Sequence, residues 1–512
     1  MDRPKHKICA LFALAVVLFL ICGWSLPTGG AGAASGVSVQ ENITAAQDLT
    51  KQEGVRISVT DMQGNEKEDL KQNLIDRDRY SASKFSSGDR IVINIAEGKA
   101  AGLYLIWDKI PGEWYLHTAD QMIPCGTEGY LHEYIVLPEQ CGALSIVIPK
   151  TVSICELYLF SEGLLPDWVQ VWQPPYEQAD ILLLPTHTDD EHLFFAGILP
   201  YYAGEVGARV QVVYMTHHFD TQERPHEQLD GLWTVGVRHY PVISEYADDA
   251  GSYGDRSMDP DQVLRNAFAI YDRETVTAFQ VEMLRRFRPL VVIGHDVNGE
   301  YGHGAHRVNT ITLQDALLCS GDPKKYPGSA ERYGVWDVPK TYLHLWEENP
   351  IVMNWDVPLA HFGGLTAFEV SQRGYACHDS QQWTWFTKWI KGTDENPITK
   401  ASQISTYSPC RYGLYRSLVG PDTGKQDFLE NIKRYADPTP APAETPALQS
   451  PGPSAPVSPS PSDRVVSTAV NGTPAASDSS ASKISVSILL LIGAGVICIV
   501  LLSAIIVRNR RG

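Results

Sequence analysis

Ile181-Leu-Leu-Leu-Pro-Thr-His-Thr-Asp-Asp-Glu191 is the stretch whose reading decides the fold. Its apolar half, residues 181–184, reads as a short strand buried on both faces. Its polar half gathers one imidazole and three carboxylates. The apolar segment after it, from His192 to Leu199, reads as the start of a buried helix. His187, Asp189, Asp190 and Glu191 then fall on a strand-to-helix turn. In open parallel sheets, ligands bind at the carboxyl ends of strands. Three adjacent acids there repel one another unless a cation or a proton holds them. On this stretch alone a plainer reading stays open, in which Asp189 or Asp190 caps the helix and its neighbours are solvated.

A second stretch repeats the pattern. Residues 290–293 are an apolar run that leads into His295-Asp-Val-Asn-Gly-Glu-Tyr-Gly-His-Gly-Ala-His306 and then a helix. His303 and His306 are three apart at the start of that helix, so their rings share one face. His187 and Asp190 from one strand end and His306 from the other make a three-ligand set. Three protein ligands with one open position is the pattern of catalytic zinc.

Pro185-Thr-His-Thr-Asp-Asp-Glu191 resembles the (P/A)HPDDE signature of the PIG-L/LmbE-like N-acetylglucosaminyl deacetylases, and Gly302-His-Gly-Ala-His306 resembles their second motif, HPDH. Arg224-Pro-His-Glu227, with Trp233 and Gly236, is similar to the family's R..E…LG stretch, and His378-Asp-Ser-Gln381 to its late H.SQ stretch. The resemblance covers residues 178–435. It implies a Rossmann-like α/β fold, a mostly parallel sheet with helices on both faces. The implied activity is zinc-dependent removal of acetyl from an N-acetylated amino sugar, with another divalent metal as the alternative to zinc.

Residue by residue, the resemblance makes His187, Asp190 and His306 the metal ligands and Asp189 the general base. His303, as an imidazolium, is expected to stabilise the oxyanion and protonate the leaving amine. Glu191 is expected to orient His187 or the loop; its plainer role is a carboxylate answering the helix dipole. Arg224 and His378 are the candidate substrate-binding residues, with a surface ion pair as the plainer reading of Arg224. Two positions depart from the family pattern. Thr188 stands where Pro is usual, and Gly304-Ala305 where Pro-Asp is frequent. Neither is a ligand position.

At 512 residues the chain is long enough for more than one domain. The net charge of −18 excludes nucleic acid as the natural partner, since phosphate contacts need clustered Lys and Arg. Residues 1–34 read as a secretory signal, with Arg3, Lys5 and Lys7 ahead of the apolar run 8–21 and small residues at 31–33. Residues 35–70 read as a loosely ordered lead-in, and 71–165 as an all-β, jelly-roll-like sandwich, so that 35–165 forms one β domain. Asn73–Ser81 resembles the early segment of discoidin-like, galactose-binding-type jelly rolls. Trp107, Trp114 and Tyr115 are either a sugar-stacking platform or, by the commoner use of such residues, core. Residues 166–175 connect to the α/β domain, 176–436.

Residues 437–483 are rich in Pro, Ser, Thr and Ala and read as a disordered stalk. Residues 484–507 carry no charge; as a helix they span about 36 Å, enough for a hydrocarbon core of about 30 Å. The basic tail 508–512 is expected in the cytoplasm, which puts the bulk of the chain outside a cell membrane that it crosses once. Six cysteines lie outside the two hydrophobic segments, and Cys125 with Cys141 is the expected disulfide, as a staple across one hairpin. Two other functions remain compatible with the residues. One is a carbohydrate-binding surface protein with a non-catalytic α/β scaffold; the other is a different metal-dependent hydrolase.

Overall fold

Arg90–Ile95 alternates outward residues with buried Ile91, Ile93 and Ile95, the period-two pattern of a strand with one face in a core. The computed structural model describes residues 44–96, 100–249 and 257–436. The signal segment, the Pro-rich stretch, the apolar segment 484–507 and the basic tail lie outside the described residues. Among the described residues no helix is long and apolar enough to cross a membrane.

The N-terminal half is a sandwich of two antiparallel sheets. One runs in the order Val55–Thr60, Arg90–Ile95, Ala143–Val147, Trp114–His117, Met122–Cys125. The other runs Ser83–Phe85, Val152–Ser161, Ala100–Trp107, His132–Cys141. Structure begins earlier than the sequence reading placed it. Val55–Thr60 is already an edge strand, and Glu68–Leu74 a helix whose Leu74 enters the core.

Trp107 and Trp114 are core residues, both indoles donating to the buried Glu133 carboxylate at 3.3 and 2.9 Å. They form no sugar platform. Of that trio, Tyr115 alone is exposed. The expected disulfide is also absent. Met122–Cys125 pairs with Trp114–His117, whereas Cys141 ends a strand of the opposite sheet, and both residues are free buried thiols.

The connector packs on the α/β half through Trp172, while Trp168 is exposed. Trp172 is buried edge-on against Trp233 and Tyr240 of the α/β half. The join is polar as well as apolar. Tyr104 Oη meets His132 Nδ1 at 3.1 Å, and His132 Nε2 meets His226 Nδ1 at 2.9 Å, all buried.

The α/β half holds a seven-stranded sheet in the order Val242–Ile243, Val210–Tyr214, Ile181–Leu183, Val291–Gly294, Lys340–His344, Arg411–Ser417, Pro350–Val352. The first five are parallel, and Arg411–Ser417 runs antiparallel to both of its neighbours, Lys340–His344 and Pro350–Val352. Ile181–Leu183 is fully buried, each such side chain contributing about 1.5–3 kcal/mol. One sheet face, with Leu182 and Val292, packs on the helices Arg273–Phe287 and Gly304–Cys319. The other, with Ile181, Leu183 and Ile293, packs on Phe194, Phe195 and the helices Glu223–Thr234 and Ala367–Ala376. From Ile181–Leu183 the chain goes first to Val210–Tyr214 on one side and later to Val291–Gly294 on the other. That reversal is the topological switch point where such sheets bind ligands.

The expected helix after Glu191 is not regular. Residues 188–197 are successive turns, and a wide π-type helix, Leu199–Glu205, follows. Gly197 has φ +94°, a conformation that breaks a helix, and the position a Cβ would take lies 2.3 Å from the Trp355 ring. Gly197→Ala meets both the backbone strain and the ring, so it should lower unfolding free energy by at least about 2 kcal/mol in chemical denaturation. A change within about 0.5 kcal/mol, the scale of a neutral surface substitution, would contradict this packing.

Candidate metal centre

All the polar groups of this centre lie beyond the carboxyl ends of the five parallel strands. The turn after Ile181–Leu183 carries His187 to Glu191, and the loop after Val291–Gly294 carries His295, Glu300, His303 and His306. His218 follows Val210–Tyr214, Asp248 follows Val242–Ile243, and His344 ends Lys340–His344.

The three expected ligands converge. His187 Nδ1 is 3.3 Å from Asp190 Oδ2, His306 Nε2 is 3.4 Å from Asp190 Oδ1, and the two ring nitrogens are 3.1 Å apart. Tetrahedral zinc with bonds of about 2.0–2.1 Å separates its ligand atoms by about 3.3 Å. The donor set and its spacing therefore fit zinc. Asp190 is fixed by its own loop, since Oδ2 accepts the backbone N–H of His187 at 2.7 Å and of Thr186 at 3.2 Å. The capping alternative is thus half right. Asp190 does hold backbone N–H groups, but they lie behind it, at the strand end.

Two carboxylates that the sequence reading did not single out orient the rings. Buried Glu300 accepts from three imidazoles: His306 Nδ1 at 2.7 Å, His295 Nδ1 at 2.8 Å and His344 Nδ1 at 2.6 Å. That bond puts the His306 proton on Nδ1 and leaves the Nε2 lone pair facing Asp190. Asp248 Oδ1 lies 3.4 Å from His187 Nε2, on the side of the ring opposite Nδ1. His295 also lies near Asp190, but its Nε2 takes the Thr186 N–H at 3.0 Å and its Nδ1 serves Glu300. It buttresses His306, stacked at 4.1 Å.

The charges are tightly balanced. Burial alone would raise Asp190, but His306 and His295 hold it well below the usual carboxylate range. Burial alone would lower His187, but Asp248 and Asp190 push it up to about 10. The site draws positive charge to itself, as a cation-binding group of carboxylates must.

Asp189 has φ 122°, a backbone strain of the kind that costs about 1–3 kcal/mol and gathers at functional sites. Burial pushes its carboxyl up to about 7 against the pull of Arg224. Arg224 is buried, so the surface ion pair is excluded. Its Nη2 donates to the Thr188 carbonyl at 2.7 Å, and Nη1 lies 3.6 Å from Asp189 Oδ2. Glu191 Oε2 accepts the Asp189 N–H at 3.0 Å, which ties this carboxylate to the loop.

His303 stands perpendicular to His187 at 4.7 Å between ring centroids, and 4.5 Å from His306. Burial and these two rings hold it well below its ordinary pKa, so the expected imidazolium gives way to a neutral ring. His378 sits elsewhere than expected. It is fully buried beside Glu191 and His192, with no face open to a substrate. The two looser motifs nonetheless meet, since Glu227 accepts the Ser380 N–H at 2.7 Å and the Ser380 hydroxyl at 2.6 Å.

No protein-family model matches the chain. A 1D-myo-inositol 2-acetamido-2-deoxy-alpha-D-glucopyranoside deacetylase from Saccharopolyspora erythraea is 31% identical over 209 residues, 37% of this chain and 72% of that one. This chain belongs to the PIG-L/LmbE-like N-acetylglucosaminyl deacetylase family. Enzymes of the same name from Kineococcus radiotolerans and Rhodococcus jostii are 28% and 29% identical, over 33% of this chain and 53% and 63% of theirs. The family domain thus occupies only part of a longer polypeptide. Among solved structures, the N,N'-diacetylchitobiose deacetylase of Pyrococcus horikoshii is 15% identical over 48% of this chain and 86% of its own, with TM-score 0.33. The family 32 CBM of C. perfringens NanJ is 11% identical over 23% of this chain and 99% of its own, with TM-score 0.18. Likenesses this slight bear no functional weight.

Glu300→Gln removes the acceptor that three rings share. Zinc affinity, measured by competition with a chromogenic chelator, should fall about 10–100-fold. An unchanged affinity would show that Glu300 does not set the ring that faces Asp190.

Proposed function

We propose that this protein is a zinc-dependent N-deacetylase that hydrolyses the acetamide of an N-acetylglucosamine-containing glycan or glycoconjugate. Membership of the family and the activity of its relatives, deacetylation of an acetamido-glucopyranoside, support the substrate class. One observation carries the metal assignment: His187 Nδ1, Asp190 and His306 Nε2 lie 3.1–3.4 Å apart, from two loops more than a hundred residues distant in sequence.

Held by His187, Asp190 and His306, a divalent ion would supply a Lewis acid for the acetamide carbonyl and would lower the pKa of a water to about 7. Asp189 takes the proton from the attacking water. Its carboxyl is buried beside Asp190 and faced by Arg224, in reach of a water at the ligand group. Arg224 restrains that carboxylate through Nη1 and the Thr188 carbonyl through Nη2. His303, neutral, donates its N–H to the developing oxyanion. Asp189 returns its proton to the leaving amine as the C–N bond breaks. Asp189→Asn should lower acetate release from N-acetylglucosaminides by about 10²–10⁴-fold with the zinc content unchanged. Turnover within a few-fold of the parent would remove Asp189 from the reaction.

The catalytic half is proposed to work outside the cell, tethered by 484–507 and carried clear of the bilayer by 437–483. The basic tail after the apolar segment and the signal-like N-terminus support that placement. Removal of residues 484–512 should shift the protein from the membrane fraction to the medium. Retention inside the cell would overturn it.

A further inference from the structure

Glu191, His192 and His378 form a second cluster of donor atoms, and the mechanism above uses none of their nitrogens. All three side chains are fully buried. Glu191 Oε1 and all four ring nitrogens of the two histidines lack a hydrogen-bond partner. Buried polar atoms are rarely left so, and five in one place call for an occupant. His192 Nε2 is 3.3 Å from Glu191 Oε1, and His378 Nε2 is 4.0 Å from it.

One donor atom from each of the three residues lies within 4.8 Å of the other two. Two imidazoles and a carboxylate make a nitrogen–oxygen set suited to a zinc-like ion.

We propose that Glu191, His192 and His378 bind a second divalent metal ion, shut off from solvent by the burial of all three side chains. Glu191 links the two centres. Its Oε2 holds the Asp189 N–H, and its Oε1 serves the second ion. The ion would pin the turn that carries Asp189 and Asp190 to His378, just beyond the helix Ala367–Ala376.

The test is a metal count on the full-length chain, stripped with a chelator, reloaded with Zn²⁺ alone and desalted. About two zinc ions per chain are expected, falling to about one in His192→Gln and in His378→Gln. A His187→Ala/His306→Ala double variant should keep the second ion, and its melting temperature should still fall on chelation. If the parent holds one ion that the double variant loses, or if neither His192→Gln nor His378→Gln changes the count, the inference is overturned. A bridging water or a proton on Glu191 would produce that result. The double variant also decides the matter should the single ones fail to fold. A parent holding one ion that survives in the double variant upholds the second centre while removing the catalytic one.

Discussion

Leu183 faces Ile293 across a parallel ladder, and the chemistry depends on that pairing. The two strands are neighbours in space but, among the described residues, are separated in sequence by a second strand, a short third, the π-type helix and three α-helices. Their carboxyl ends open side by side, so the turn with His187 and Asp190 must meet the loop with Glu300 and His306. A slip of one residue would turn the apolar side chains of the strand to the opposite face. Register and site geometry are therefore one constraint.

A knot of buried acids is costly unless something answers the charge. Here the acids are arranged in layers. Asp190 faces the ring nitrogens, and Glu300 and Asp248 stand behind the rings and fix their orientation. Asp189 is separated from Asp190 by its unusual φ and is faced by Arg224 instead. Adjacent carboxylates thus acquire opposite tendencies, one held well below the usual range and the other raised to about 7. That division suits one to bind a cation and the other to carry a proton.

Much of this was legible in the sequence. Apolar runs ending in Pro185 and Gly294 marked the two central strands, and the three converging donors were named from motif and spacing. Glu300, His295 and Asp248 were not, because carboxylates and rings that orient ligands obey no spacing rule; only the fold delivers them. Residues 192–199 looked helical because their apolar content is real, but Gly197 against Trp355 bends the path. The Cys125–Cys141 pairing failed because sequence proximity does not say which of two sheets a strand joins. His378 matched a motif yet belongs to a buried cluster with His192, a contact between elements far apart in the chain.

The central claim is that two separate loops share one ion, and crystals of the zinc-loaded chain, measured at the zinc absorption edge, test it directly. An anomalous peak about 2.0–2.2 Å from His187 Nδ1, His306 Nε2 and an Asp190 oxygen is predicted. A map with no peak among those three atoms, from protein that carries zinc and releases acetate, would contradict it.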